Sequence, residues 1–509
     1  MLSTTTQSLL STSIETISSF TSWESASLLT TTPSLSQTSS FNHFNLSEQR
    51  LSTEASLGMN DLVMNAELNP LFVSDTFGLG PRLVSGSLRA DTFNISLFDR
   101  MTVISGNGNV DFGQGFRDWI DLSSISFAQV TLELANAVSG MVFNPGNGNR
   151  VFDSITLSGG QRILFEGIEQ IRFAEGVIDL SITPNDPLFG QQWNLHMMGV
   201  QNAWRFTTGS TNVMVGVEDT GLSVDWNGSV HPDLGNTIWL GEQGIDDTSD
   251  NHGTSVQGII AAKSNNGIGM SGINWNSQTF NIDVLGREIT DLSVGNAAQT
   301  MINQARLQGQ RLVVNLSLGS PGSFGFNSDL LFEQVVQNNP DVLFVIAAGN
   351  FGHLGQEGLA SPAFLAKSYD NVIAVGASWG TQDWYGRSMT PGTRIEYSGW
   401  WGSQYGEGLT LMGPSEVIAP TLKTTGFGES FFDYSSKFSG TSAAAPNVAG
   451  VASLVLSANG NLSAAQVRQI LSQIAVDVGA IGYDKFTGAG FVNADAAVRR
   501  AIAIGWGFA

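Results

Sequence analysis

The chain contains no cysteine, which excludes disulfides, thiolate metal sites and a thiol nucleophile. Positive charge is scarce: 22 Lys and Arg stand against 44 Asp and Glu, a formal net charge of −22 over 509 residues. Nucleic acid and anionic membrane surfaces attract basic patches, so neither is an expected partner. Histidine occurs five times, without an HExxH pattern or a close pair, which argues against zinc-dependent hydrolysis. No apolar run approaches the ~18 residues that cross a bilayer, so no membrane span is expected. A Sec-type leader is also not visible: the first Lys or Arg is Arg50, and residues 1–45 are rich in Ser and Thr without an apolar stretch. Glycine, by contrast, is abundant. Its 59 residues exceed the usual ~7% and indicate a turn-rich fold, in a chain long enough for two or three domains.

Three segments carry chemistry. In Phe438-Ser-Gly-Thr-Ser-Ala-Ala-Ala-Pro446, Ser442 opens a helix of small residues, where unpaired N–H groups favour a developing oxyanion. Pro446 removes the N–H that would bond the Ser442 carbonyl, which predicts a distorted first turn and an exposed serine. A lone serine at a helix start is usually only a cap, and without a base its hydroxyl is inert. Met214 to Gly221 reads as a buried strand ending on Asp219 and a glycine turn, and His252 heads a helix of small residues, His252-Gly-Thr-Ser-Val-Gln-Gly258. The chain order Asp219, His252, Ser442 is that of one known arrangement of the catalytic triad.

With these motifs, the chain from about Pro184 to Ala503 resembles the subtilisin-like serine proteases. The resemblance implies Ser442 as nucleophile, His252 as general base and then acid, and Asp219 as the group that orients the imidazole. It implies Asn350, at the end of Phe344-Val-Ile-Ala-Ala-Gly-Asn350, as an oxyanion donor. Ser317, Leu318 and Gly319 match the edge that pairs with an extended peptide substrate, and Ala347, Ala348 and Gly349 match a wall of the primary side-chain pocket. Ala360, Ser361 and Pro362 are expected near its floor; these small residues suit an apolar side chain, while Glu357 on the nearby loop leaves a basic one open. Two segments, His231-Pro-Asp233 and Asn265 to Met270, match the family's tight calcium site. Its implied ligands are Asp233, Asn266 and the carbonyls of Ile268 and Met270, completed by Asp186 as in kexin-type enzymes, with oxygen donors throughout. No organic cofactor is implied.

The expected organisation has three parts. Residues 1–75 form a disordered lead-in with a marginal helix over 7–20. Residues 76–182 form a β-rich extension, a pro-region or a calcium-binding β-unit, in which Gly106-Asn-Gly-Asn109 and Gly146-Asn-Gly-Asn149 suggest a duplicated unit. Residues 183–509 form an α/β peptidase domain, a parallel sheet flanked by helices, whose start resembles kexin-type and cyanobacterial calcium-dependent proteases. The expected function is serine endopeptidase. A dedicated precursor-processing protease, or a catalytically inert binding protein, are the alternatives. The family points to an extracellular or cell-envelope location, and the lack of a visible leader to export by a route without a cleaved signal, or to the cytoplasm.

Overall fold

The computed structural model describes residues 80–508 apart from 97, 236, 241–250, 286–291, 321–323, 325–329 and 425–429. The Ser/Thr-rich lead-in, with its expected helix, lies outside the described residues.

The continuous apolar runs of the C-terminal two thirds become strands buried on both faces. With the outer strand Thr237–Leu240 they form a seven-stranded sheet in the order Thr237–Leu240, Gln278–Asp283, Val213–Asp219, Arg311–Leu316, Leu343–Ala347, Val372–Ser378 and Leu409–Pro414, every neighbouring pair parallel. Successive residues of a strand face opposite sides, and the interior strand Val213–Asp219 uses both. Val215 and Val217 pack against Val256 and Ile260 of the helix His252–Ala261. A Cβ at Gly216, between them, would lie 2.4 Å from Met301 Sδ of the helix Val294–Leu307. Helices therefore cover both faces, as the sequence predicts.

The long helix Thr441–Ala458 packs across several strands of this sheet. Its 18 residues and mean hydropathy of 1.2 would suit a membrane span, but 83% of it is buried inside the fold. Composition alone therefore does not separate it from a membrane helix; its packing does. An antiparallel hairpin, Val417–Thr424 with Ser430–Phe438, leads into it.

The N-terminal part is built from strands that switch sheets as the chain advances. Arg82–Ser85, Met101–Ser105 and Arg162–Glu166 pair in parallel in one sheet. Thr92–Asn94, Trp119–Leu122 and Gln170–Phe173 pair in parallel in a second. Val84, Ile104, Ile163 and Phe165 meet Phe93, Ile120, Leu122, Ile171 and Phe173 in a shared core. The suggested duplication has no counterpart in pairing. Trp119–Leu122 has parallel neighbours on both sides, whereas Arg150–Leu157 is flanked by antiparallel ones. Residues 80–182 are not set apart from the rest of the fold: the described residues fall in one compact unit, and Leu88, Val110, Phe112, Ala135 and Val151 join the main core.

Candidate active site

Asp219 is the last residue of the strand Val213–Asp219 and is fully buried. Its Oδ1 lies 2.6 Å from His252 Nδ1 and accepts the Thr220 N–H at 2.9 Å. A carboxylate only accepts, so in the neutral ring Nδ1 carries the hydrogen and Nε2 keeps its lone pair. The His252 side chain is 19% exposed, so a dry carboxylate orients a ring that reaches the surface. Two bonds hold strand end to helix start: Gly253 N to Thr220 Oγ1 at 2.9 Å and Ser223 N to Thr254 Oγ1 at 2.7 Å. The approach is so close that a Cβ at residue 253 would lie 2.2 Å from the Gly221 carbonyl oxygen. Only glycine fits behind His252.

Ser442 is the second residue of its helix, after Gly440 with φ +84°. Because Pro446 offers no N–H, the Ser442 carbonyl lacks its helical donor; Ser317 Oγ donates to it instead, at 2.9 Å. In return, Ser442 Oγ donates to the Ser317 carbonyl at 3.0 Å. Asn315 Nδ2 donates to Ser317 Oγ at 3.0 Å and fixes that hydroxyl. Ser317 directly follows the strand Arg311–Leu316, so the serine on the helix is registered against a strand end.

Asn350 follows the strand Leu343–Ala347. Its Oδ1 accepts from Thr441 N at 2.8 Å and from Thr441 Oγ1 at 3.0 Å, and Thr441 Oγ1 itself accepts the Gly349 N–H at 3.1 Å. With its carbonyl end held, Asn350 presents its amide nitrogen, 3.1 Å from where a Gly440 Cβ would stand. Asp219, Ser317 and Asn350 lie at or just past the C-terminal ends of parallel strands, so one edge of the sheet gathers them, as open parallel sheets require.

Leu318 and Gly319 continue that edge. A Cβ at 319 would meet the Ser361 carbonyl oxygen at 3.2 Å and Ala360 Cβ at 3.4 Å, which places Ala360 and Ser361 beside the Ser317–Gly319 segment. Ala347 and Ala348 are buried in the main core, while Gly349, with φ +106°, reaches the surface. A Cβ on Gly349 would collide with Gln404 Oε1 at 2.0 Å. Glu357 pairs with Lys485 at 2.6 Å on the exterior.

The expected calcium ligands converge on one loop. Asp186 accepts from the N–H groups of Asn265 at 2.7 Å and Asn266 at 2.9 Å, and from Ser271 Oγ at 2.6 Å. Asp233 accepts from Asn266 Nδ2 at 3.0 Å, Met270 N at 3.0 Å and Tyr434 OH at 2.9 Å. Burial raises the Asp233 pKa, these bonds partly offset the rise, and the charge of Asp186 adds to it. Two close carboxylates under desolvation fit a cation in kind. The groups now facing them are donors, however, and Asn266 Oδ1 is turned to the Ile268 N–H at 2.7 Å, so that amide has to turn before its oxygen can serve as a ligand. Among the described residues, no group of three or more His, Asp or Glu side chains is placed to hold a metal.

Sequence reasoning missed Thr441, which holds Asn350, and Thr220, which ties Asp219 to the His252 helix. It also missed the second role of Ser317 as partner of Ser442. A threonine in a tight Gly-Thr-Ser approach reads as a steric choice, and nothing local signals a hydroxyl bond to an amide some ninety positions away.

The family model described as "Subtilase family" matches residues 210–490, more than half of the chain. The "Extracellular basic protease" of Dichelobacter nodosus is 30% identical over 361 residues, covering 62% of this chain and 55% of that protein. "Subtilisin Savinase" of Lederbergia lenta is 34% identical over 301 residues, covering 58% of this chain and 93% of that protein. Six of the curated relatives are much longer than the match, the chain spanning 55% to 66% of their length. Among solved structures, a protease from Pseudoalteromonas arctica PAMC 21717 is 24% identical with a TM-score of 0.48, over 63% of this chain and 99% of that one.

Proposed function

The chain belongs to the subtilase family, and on that premise we propose that it is a serine endopeptidase acting through an acyl-enzyme. The observation that carries this reading is the buried Asp219 carboxylate bonded to His252 Nδ1 at 2.6 Å, on a helix that packs against the Ser442 helix. Ser442 Oγ leaves the Ser317 carbonyl, gives its proton to His252 Nε2 and attacks the scissile carbonyl. Asp219 stabilises the imidazolium, which then protonates the leaving amine; water repeats the sequence to release the acyl group. The Asn350 amide and the Ser442 N–H receive the oxyanion, and removing one such donor typically costs about 3 kcal/mol of transition-state stabilisation.

The substrate is a peptide bound as an extended strand along Ser317, Leu318 and Gly319. The small, uncharged surroundings of Gly349 and Ala360 favour an apolar side chain before the scissile bond, and the outward pairing of Glu357 with Lys485 removes the carboxylate that would favour a basic one. Calcium is the proposed structural ion, held by Asp233, Asn266 and the carbonyls of Ile268 and Met270, with Asp186 as the neighbouring carboxylate. Activity outside the cell is proposed by analogy with the extracellular protease of Dichelobacter nodosus. Mapping cleavage sites in an unfolded protein tests the reading. The expectation is cleavage at many sites after apolar residues, absent in Ser442→Ala; no cleavage of any unfolded protein would sink it.

A further inference from the structure

Residues 80–182 are joined to the rest of the fold by buried charge. Asp153, fully buried on the strand Arg150–Leu157, accepts two bonds from Arg205, at 2.9 and 2.7 Å, and one from Arg499 at 2.8 Å. Arg499 is 1% exposed; it also donates to the Val151 carbonyl at 2.9 Å and to Asp495 at 2.8 Å. The second oxygen partner is shared, since Asp495 Oδ2 accepts the Gly167 N–H at 2.9 Å. Burial works against the charge of Asp153, but Arg499 and Arg205 more than offset it and hold the pKa below the ordinary value.

Backbone approach is equally close. Asn109 N bonds the His196 carbonyl at 3.0 Å, and a Cβ at Gly108 would lie 1.8 Å from the Met197 carbonyl oxygen. The Phe112 ring lies 4.6 Å from the His196 ring, centroid to centroid.

None of these contacts involves Asp219, His252, Ser442, Asn350 or the Ser317–Gly319 edge. A segment that blocks the enzyme has to cover that edge. Moreover, Arg205, Asp495 and Arg499 lie outside residues 210–490, the span shared with the family. Removing 80–182 would strip Arg499 of Asp153 and of the Val151 carbonyl, leave Arg205 without its carboxylate and expose Met197 and His196. Breaking a buried ion pair by removing one partner is strongly destabilising.

We infer that residues 80–182 are a resident part of the active enzyme, an intramolecular partner seated on Arg205, Asp495 and Arg499, and not a pro-region that maturation removes. Any cleavage that matures the chain therefore leaves residues 80–182 in place.

A specific cleavage site inserted between the exposed Ile182 and Thr183 tests this in the full chain. In the Ser442→Ala background, where self-cleavage is removed, the two cut pieces should co-elute on gel filtration and melt in one transition. These readouts need no substrate, so they stand apart from the proposed chemistry. In the active chain, the same cut should leave peptidase activity at the level of the uncut enzyme, with both pieces still bound. Dissociation of the pieces in native buffer, or activity that rises when the N-terminal piece is lost, would overturn the inference. So would finding that the species labelled by a fluorophosphonate begins at or after residue 182.

Discussion

Ser317→Ala, alone and combined with Pro446→Ala, tests how the nucleophile is held. The substitution deletes the hydroxyl that donates to the Ser442 carbonyl at 2.9 Å but keeps the Ser317 carbonyl that accepts Ser442 Oγ. One neutral hydrogen bond is worth about 1 kcal/mol net, and a partly buried acceptor left empty costs about 1–3 kcal/mol. Ser317→Ala should thus destabilise the fold by about 1–2 kcal/mol, which in a chain of this size moves Tm by only about 2 °C. Because the same bond registers Ser442, kcat should fall about 5- to 10-fold, with KM little changed. Pro446→Ala supplies the missing helical N–H. In that background the Ser442 carbonyl has another donor, so Ser317→Ala should cost less, the remainder coming from Asn315 Nδ2, which loses its acceptor in either background. Urea denaturation and steady-state kinetics of the four chains make a double-mutant cycle. Strictly additive losses would show that the Ser317 hydroxyl and the proline do not act on one carbonyl, and would refute the reasoning.

Thr441→Val keeps the shape but removes the hydroxyl bond to Asn350 Oδ1. It should lower kcat several-fold, and it should cost nothing further once Asn350→Leu has lowered kcat by about 10²–10³; kinetics of the double variant checks this. Glu169 is fully buried, and burial, partly offset by bonds from Asn109 and the Asp118 N–H, raises its pKa to about 7. The unfolded chain loses this proton near pH 4.5 while the folded one keeps it. The contribution is therefore complete below about pH 4.5 and is lost as pH rises through about 7, by no more than about 3 kcal/mol. Glu169→Gln should flatten the dependence of Tm on pH between about 4.5 and 7, and a slope left unchanged would remove Glu169 as its cause. Calcium at 100 Kd should stabilise the fold by about 2.7 kcal/mol, with a weaker response in Asp233→Asn; a Tm indifferent to calcium and chelator would leave Asn265 to Met270 as an ordinary loop.

The parallel sheet was legible because buried strands such as Leu343–Ala347 are unbroken apolar runs, and because Asp219, His252 and Ser442 each sit in a distinctive local context. The hairpin Val417–Thr424 with Ser430–Phe438 was not. Its second strand is half-exposed, Ser-Phe-Phe-Asp-Tyr-Ser-Ser-Lys-Phe, so no clean apolar face marks it. Thr237–Leu240 is too short to carry a period. In the N-terminal part, parallel partners such as Met101–Ser105 and Arg162–Glu166 lie some sixty positions apart, and local patterning cannot pair them. The buried pairing of Asp153 with Arg205 and Arg499 was invisible for the same reason: charge in sequence reads as surface until packing encloses it.

The central claim is that Ser442 is the nucleophile, activated by His252. Locating the residue modified by a fluorophosphonate, by mass spectrometry of the digested enzyme, tests it most directly. The account predicts modification at Ser442, greatly slowed in His252→Ala and absent in Ser442→Ala together with peptidase activity. Modification at another residue, or a Ser442→Ala enzyme that still cleaves peptides at an appreciable rate, would contradict it.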